Sequence, residues 1–136
     1  MRSLFKMAKT TRPTRILVVD DDDALRETIC DRLVYQGWDI TTAGDGREAL
    51  EIATQTRPDV MLLDIHMPSM DGLTLLECLR RDPDLSGIRV MMVTASNQVA
   101  DITRAAACSV DDYVTKPFSA AELVERVQRV LHQMKS

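Results

Sequence analysis

Five short apolar runs alternate with five segments of helical period between Arg15 and the end of the chain, and this alternation restricts the fold more than any other feature. Ile16-Leu17-Val18-Val19 is a continuous run rich in β-branched residues and closed by acids, which predicts a buried strand. Leu25, Ile29 and Leu33 recur at a spacing of four, one face of a helix that ends near Gln36-Gly37, where glycine supplies a left-handed stop. Trp38 to Ala43 reads as a weaker strand. After the turn Gly44-Asp45-Gly46, Ala49, Leu50 and Ala53 mark a helix that stops before Pro58. Val60-Met61-Leu62-Leu63 is a third buried strand running into Asp64. Met67 to Gly72 is a loop whose Asp71 can cap the helix carrying Leu75, Leu76 and Leu79, and Asp82-Pro83-Asp84 ends that helix. Ile88 to Val93 is a fourth strand closed by Thr94, followed by a short helix around Ile102 to Ala107. Tyr113-Val114-Thr115 is a short fifth strand ending at Lys116-Pro117. Leu123, Val124, Val127, Val130 and Leu131 form the stripe of a last helix. Five such units in a row predict an α/β fold: one parallel sheet with helices on both faces and right-handed crossovers.

The chain's 136 residues suit one domain, large enough to bury a core without a disulfide or structural metal. No apolar run exceeds four residues, so no membrane span is expected, and no secretory signal either. Cys30, Cys78 and Cys108 are an odd, widely spaced set, which fits reduced thiols in a cytoplasmic protein. The net charge of −4 conceals an asymmetry. Residues 1–15 carry five basic side chains and no acid, whereas the rest carry 12 basic and 21 acidic ones, a charge of −9. Residues 1–14 are expected to be a basic, disordered tail and residues 15–136 the domain. An acidic domain is a poor direct binder of nucleic acid, since phosphate contacts need Lys and Arg.

In an open α/β sheet, ligands bind outside the carboxyl ends of the strands. The first strand ends at Asp20-Asp21, with Asp22 and Asp23 beyond; the third ends at Asp64, the fourth at Thr94 and the fifth at Lys116. Carboxylates gathered at one rim repel one another unless a cation joins them. Mg²⁺, with Mn²⁺ as a substitute, suits such a site because it takes oxygen ligands, keeps waters and accepts a phosphate oxygen. Lys116 and Thr94 then offer a charge and a hydroxyl to a phosphoryl group. Lys116 is also the sole lysine between residues 10 and 134, among many arginines, so a compact ammonium matters there. Taken singly, each piece has a structural explanation; an acidic run such as Asp20 to Asp23 is as often a cap at a helix start.

At these residues the sequence resembles the receiver domain of bacterial two-component response regulators, in particular the chemotaxis regulators. The segments that carry the resemblance are Ile16 to Asp22, Asp64-Ile65-His66-Met67-Pro68-Ser69-Met70-Asp71-Gly72, Val93-Thr94-Ala95 and Asp111 to Phe118. The resemblance implies a flavodoxin-like, doubly wound five-stranded sheet with strand order 2-1-3-4-5. It implies that Asp64 is the phosphoacceptor, becoming an acyl phosphate. Asp20, Asp21, Asp64 and the main-chain carbonyl of His66 are implied to hold Mg²⁺, and Lys116 to pair with the phosphoryl oxygens. Pro117 is implied to follow Lys116 through a peptide bond that is often cis. Thr94 and Tyr113 resemble the switch pair: the hydroxyl moves toward the phosphoryl group, the ring turns inward, and the face of the fourth helix, fifth strand and fifth helix is repacked. The implied partners are a sensor histidine kinase or phosphotransfer protein, docking near the first helix, and an unidentified downstream protein. A phosphorylation-dependent homodimer through the Tyr113 face is also compatible.

Several positions depart from the family pattern. Ser109-Val110 stands where Gly-Ala is usual, so Ser109 is expected to strain its turn and Val110 to crowd the switch face. His66 and Ser96 occupy the two positions that tune loss of the phosphoryl group, and His66 is expected to be an exposed loop residue. A length of 136 leaves no room for an output domain, so the expectation is a stand-alone regulator or the receiver part of a longer one. No enzymatic turnover is expected beyond self-phosphorylation and self-dephosphorylation. Two other readings compete: a degenerate receiver serving as a phosphorylation-independent scaffold, and a Mg²⁺-dependent phosphohydrolase. The latter would need an acid where His66 stands.

Overall fold

The structure, a computed structural model, describes residues 12–134. The elements run β1 (Arg15–Val19), α1 (Asp23–Leu33), a 3₁₀ turn (Val34–Gln36), β2 (Asp39–Ala43), α2 (Gly46–Thr56), β3 (Val60–Leu63), α3 (Gly72–Arg81), β4 (Arg89–Thr94), α4 (Val99–Ala107), β5 (Asp112–Thr115) and α5 (Ala120–Met134). All four strand pairings are parallel, and the sheet order is β2-β1-β3-β4-β5, the order the resemblance implied.

This order explains why some strands read strongly in the sequence and others weakly. The interior strands β1, β3 and β4 are covered on both faces and need apolar side chains at nearly every position; β3 is buried at all four. The edge strands β2 and β5 are only partly covered and carry Asp39, Thr41, Thr42 and Asp112. Alternate residues of each strand serve opposite faces. Ile16 and Val18 join Ile29, Leu33, Leu123, Val127 and Val130 under α1 and α5. Leu17 and Val19 join Ala49, Ala53, Leu75, Leu76, Leu79 and Ala105 under α2, α3 and α4. Two cores back to back on one sheet make the fold doubly wound.

Helix ends follow local chemistry. Asp22, Asp45 and Asp71 each accept a hydrogen bond from the amide of the third residue of their helix. Gly37 takes the left-handed conformation after the 3₁₀ turn, with φ of 80°. α4 begins at Val99, three residues before the expected start. Its first turn carries Val99 and Ile102 toward solvent rather than core, so no buried stripe announces it.

Ser109, just past α4, has φ of 56°, so the strain expected there is present. A left-handed non-glycine residue costs about 1–2 kcal/mol. Ser109→Gly should therefore raise stability by about 0.5–1 kcal/mol, once the extra freedom of glycine in the unfolded chain is counted. Thermal unfolding checks this, and a lower melting temperature would contradict it. Val110 is half-buried and packs against the α2–α4 core.

Residues 1–11 of the expected tail lie outside the described residues. Of its last three, Arg12 pairs with Asp59 at 3.0 Å and the Thr14 carbonyl accepts from the Asp39 amide at 2.8 Å. Cys30, Cys78 and Cys108 are free and half-buried. Among the described residues no helix is long and apolar enough to cross a membrane.

Candidate functional site

The strand ladders continue one bond past the strands, and those bonds place the site. The Asp20 amide donates to the Ala43 carbonyl at 3.2 Å, that of Asp64 to Val19 at 3.0 Å, and that of Lys116 to Thr94 at 2.8 Å. Asp20, Asp64 and Lys116 thus stand side by side at the carboxyl rim, fixed by the register of the sheet rather than by a flexible loop. The Lys116–Pro117 peptide bond is cis, as the resemblance implied.

The Lys116 ammonium bridges the two acids. Its Nζ lies 2.8 Å from Asp20 Oδ2 and 3.1 Å from Asp64 Oδ2. The other oxygen of each carboxylate receives a main-chain amide, Asp22 N at 2.9 Å on Asp20 and His66 N at 3.4 Å on Asp64. Asp20 and Asp64 are nearly buried, at 3% and 6% exposure, whereas Asp21 is open to solvent. Burial pushes the Asp20 carboxyl above its usual range, and the nearby charge of Asp64 adds to this; Lys116 and the Asp22 amide pull the other way. Burial alone would lower the Lys116 ammonium, but its hydrogen bond to Asp20 and the charge of Asp64 outweigh it, and its pKa is raised.

One carboxylate oxygen from each of Asp20, Asp21 and Asp64 can be chosen so that all three lie within 4.8 Å of one another. Three hard oxygen donors, one of them facing solvent, fit a divalent cation that keeps waters, as Mg²⁺ does. The acidic run is therefore divided. Asp20 and Asp21 join the donor set, while Asp22 caps α1 and Asp23 lies in its first turn.

The remaining expected residues are near but not all in contact. Thr94 is fully buried at the end of β4, its Oγ1 3.4 Å from the Ser96 amide. Tyr113 packs half-buried against the α2–α4 core, and its hydroxyl donates to the Ser96 carbonyl at 2.9 Å. His66 is exposed in the loop after β3, as expected.

Two further contributors lie outside the set of strand-end residues. Arg26 donates to the Asp20 carbonyl at 2.6 Å and also pairs with Asp23, tying α1 to the first acidic loop. A Cβ on Gly72 would lie 2.0 Å from the Asp64 carbonyl oxygen. The start of α3 therefore presses on the backbone that carries Asp64. Gly72 closes the Asp64-to-Gly72 segment that carries the resemblance, and the close packing gives the physical reason for a glycine there.

A family model described as the response regulator receiver domain matches residues 16–128. The chain is 43% identical over 122 residues to the "Probable transcriptional regulatory protein TcrX" of Mycobacterium tuberculosis, covering 90% of this chain and 51% of that protein. Among solved structures it is similar to chemotaxis protein CheY4 of Vibrio cholerae, with a TM-score of 0.82, 29% identity and coverage of 88% of this chain and 99% of the other. It is also similar to a CheY-like receiver domain protein of Methanospirillum hungatei, with a TM-score of 0.84, 27% identity and coverage of 91% and 98%. The chain spans about half the length of the curated relatives it matches.

Proposed function

The chain belongs to the response regulator receiver family, the signalling modules of two-component systems, and on that premise we propose that it is a phosphorylation-controlled switch with Asp64 as the phosphoacceptor. One observation carries the reading: a single ammonium, on Lys116, spans Asp20 and Asp64 where three carboxylates meet. An Asp64 carboxylate oxygen attacks phosphorus, the bond from phosphorus to the donor nitrogen breaks, and the electron pair leaves with that nitrogen, which takes a proton. Lys116 neutralises the phosphoryl oxygens as charge gathers, and the register of β1, β3 and β5 holds nucleophile and cation in place. Asp20, Asp21, Asp64 and the His66 carbonyl would hold Mg²⁺ or Mn²⁺. When bound, the ion supplies charge neutralisation between the carboxylates and the phosphoryl group.

The modified Asp64 carries nearly two negative charges. It draws the Thr94 hydroxyl toward it, Tyr113 follows, and the face made by α4, β5 and α5 changes for a downstream partner or a second copy of the chain. The donor is a sensor histidine kinase or phosphotransfer protein, and the setting is cytoplasmic, consistent with three free thiols. The only chemistry proposed is the chain's own phosphorylation and dephosphorylation.

A turnover assay with phosphomonoesters separates this reading from a phosphohydrolase, whose second acid would stand at His66. Rapid multiple turnover would contradict the switch. A chain that binds partners equally well with and without a phosphodonor would instead be a scaffold. Mg²⁺ at ten times its dissociation constant should stabilise the fold by about 1.4 kcal/mol, raising the melting temperature by roughly 4–6 °C. An equal shift in Asp21→Ala would contradict the metal assignment.

A further inference from the structure

Ser96 touches three separate parts of the switch region. Its amide faces Thr94 Oγ1 at 3.4 Å, its carbonyl accepts the Tyr113 hydroxyl at 2.9 Å, and its own hydroxyl donates to Asp101 Oδ2 at 2.5 Å. The same hydroxyl accepts from the Gln98 amide at 3.3 Å. Ser96 is nearly buried, whereas Asp101 lies in the first turn of α4. A strand end and a helix start are thereby joined by one side-chain pair.

The way α4 is held makes that pair consequential. Ala105 is its one buried residue, and Val99 and Ile102 face solvent. Its attachments are mainly polar. Arg104 makes a two-pronged pair with Glu77 of α3, at 2.7 and 3.1 Å, and Arg80 donates to the carbonyls of Cys108 and Ser109 beyond its last turn. Gln98 at its N-cap makes no side-chain capping bond. A helix with so little buried apolar surface shifts at low cost, and its position depends on such ties.

We infer that the Ser96–Asp101 hydrogen bond carries movement at the phosphorylation site into α4, which makes Asp101 a positioning residue for the output face. The inference rests on the switch function proposed above. Movement of Thr94 toward a phosphoryl group carries Ala95 and Ser96 with it, and the hydroxyl of Ser96 takes the first turn of α4 along. Without the bond, Thr94 can move while α4 stays in place.

A plainer role for Asp101 is to complement the positive end of the α4 dipole. Asp101→Asn keeps a carbonyl acceptor for Ser96 and removes the charge; Asp101→Ala removes both. The experiment adds beryllofluoride and Mg²⁺ to the native chain and to Asp101→Ala, Asp101→Asn and Ser96→Ala. Fluorine NMR reads occupancy of Asp64, and hydrogen exchange reads the amides of residues 97–107. The native chain and both Asp101 variants should bind beryllofluoride, and the change in α4 is read per occupied site. The beryllofluoride-induced change in α4 exchange should fall at least threefold in Asp101→Ala and Ser96→Ala and be retained in Asp101→Asn. An undiminished change in Asp101→Ala, or equal losses in Asp101→Asn and Asp101→Ala, would overturn the inference while leaving the switch reading intact. Failure of the native chain to bind beryllofluoride at Asp64 would overturn both.

Discussion

Asp64→Asn abolishes labelling by acetyl phosphate or phosphoramidate in Mg²⁺ while leaving the fold standing. The amide is close to the carboxylate in size, and its oxygen can keep the Lys116 ammonium, which lies 3.1 Å from one Asp64 oxygen; its NH2 group then takes the place of the other oxygen, and only the long 3.4 Å contact from the His66 amide is lost. It lacks the charge and nucleophilicity needed to attack phosphorus. The substitution also removes the Asp64 charge that raises the Asp20 carboxyl. In the absence of metal, stability should therefore stay within about 1 kcal/mol of the native value. The gain from Mg²⁺ should shrink, because one of three oxygen donors has lost its charge. Labelling followed by melting curves with and without Mg²⁺ checks all three effects. Persistent labelling would move the phosphoacceptor elsewhere, and a large loss of stability would show that Asp64 is needed for folding.

Gly72→Ala should be among the most destabilising single-methyl changes available in this chain. The new Cβ would lie 2.0 Å from the Asp64 carbonyl oxygen, 2.8 Å from its carbonyl carbon and 3.0 Å from Ile65 Cα. All three are backbone atoms, so no side chain can swing aside. The Gly72 amide also donates to the Ile65 carbonyl at 2.8 Å, which holds the start of α3 against that backbone. Relief requires opening the β3–α3 connection, an overpacking cost expected at or above about 3 kcal/mol. Moving that backbone displaces the Asp64 carboxylate from Lys116, so the labelling rate should fall as well. Gly87→Ala is the control. Nothing lies within 4 Å of where its methyl group would stand, and stability should change by less than about 0.5 kcal/mol. Equal melting temperatures for the two variants would contradict the steric argument.

What the sequence discloses depends on how directly a residue's role follows from its own pattern. The interior strands Ile16 to Val19 and Val60 to Leu63 are legible because covered strands need unbroken apolar runs. Asp71 is legible as a cap because a short acid before an apolar helix has one obvious use. Asp20, Asp64 and Lys116 are legible because parallel strands bring their carboxyl ends to one rim, wherever they lie in the chain. The division of labour within Asp20 to Asp23 is not, since it depends on which residue turns into the α1 cap. Gly72 belongs to the segment that carries the resemblance, but its steric constraint is silent because it comes from a backbone eight residues away. The contact between Ser96 and Asp101 is silent because it depends on the path of the β4–α4 loop. The start of α4 is silent because Val99 and Ile102 are exposed.

The most direct test is the intact mass of the native chain after incubation with phosphoramidate, in Mg²⁺ and in excess chelator, followed by mapping of the modified residue. The account predicts one added HPO₃ unit, located on Asp64, that appears only with the metal. An unchanged mass, an addition at another residue, or labelling that is the same in chelator would contradict it.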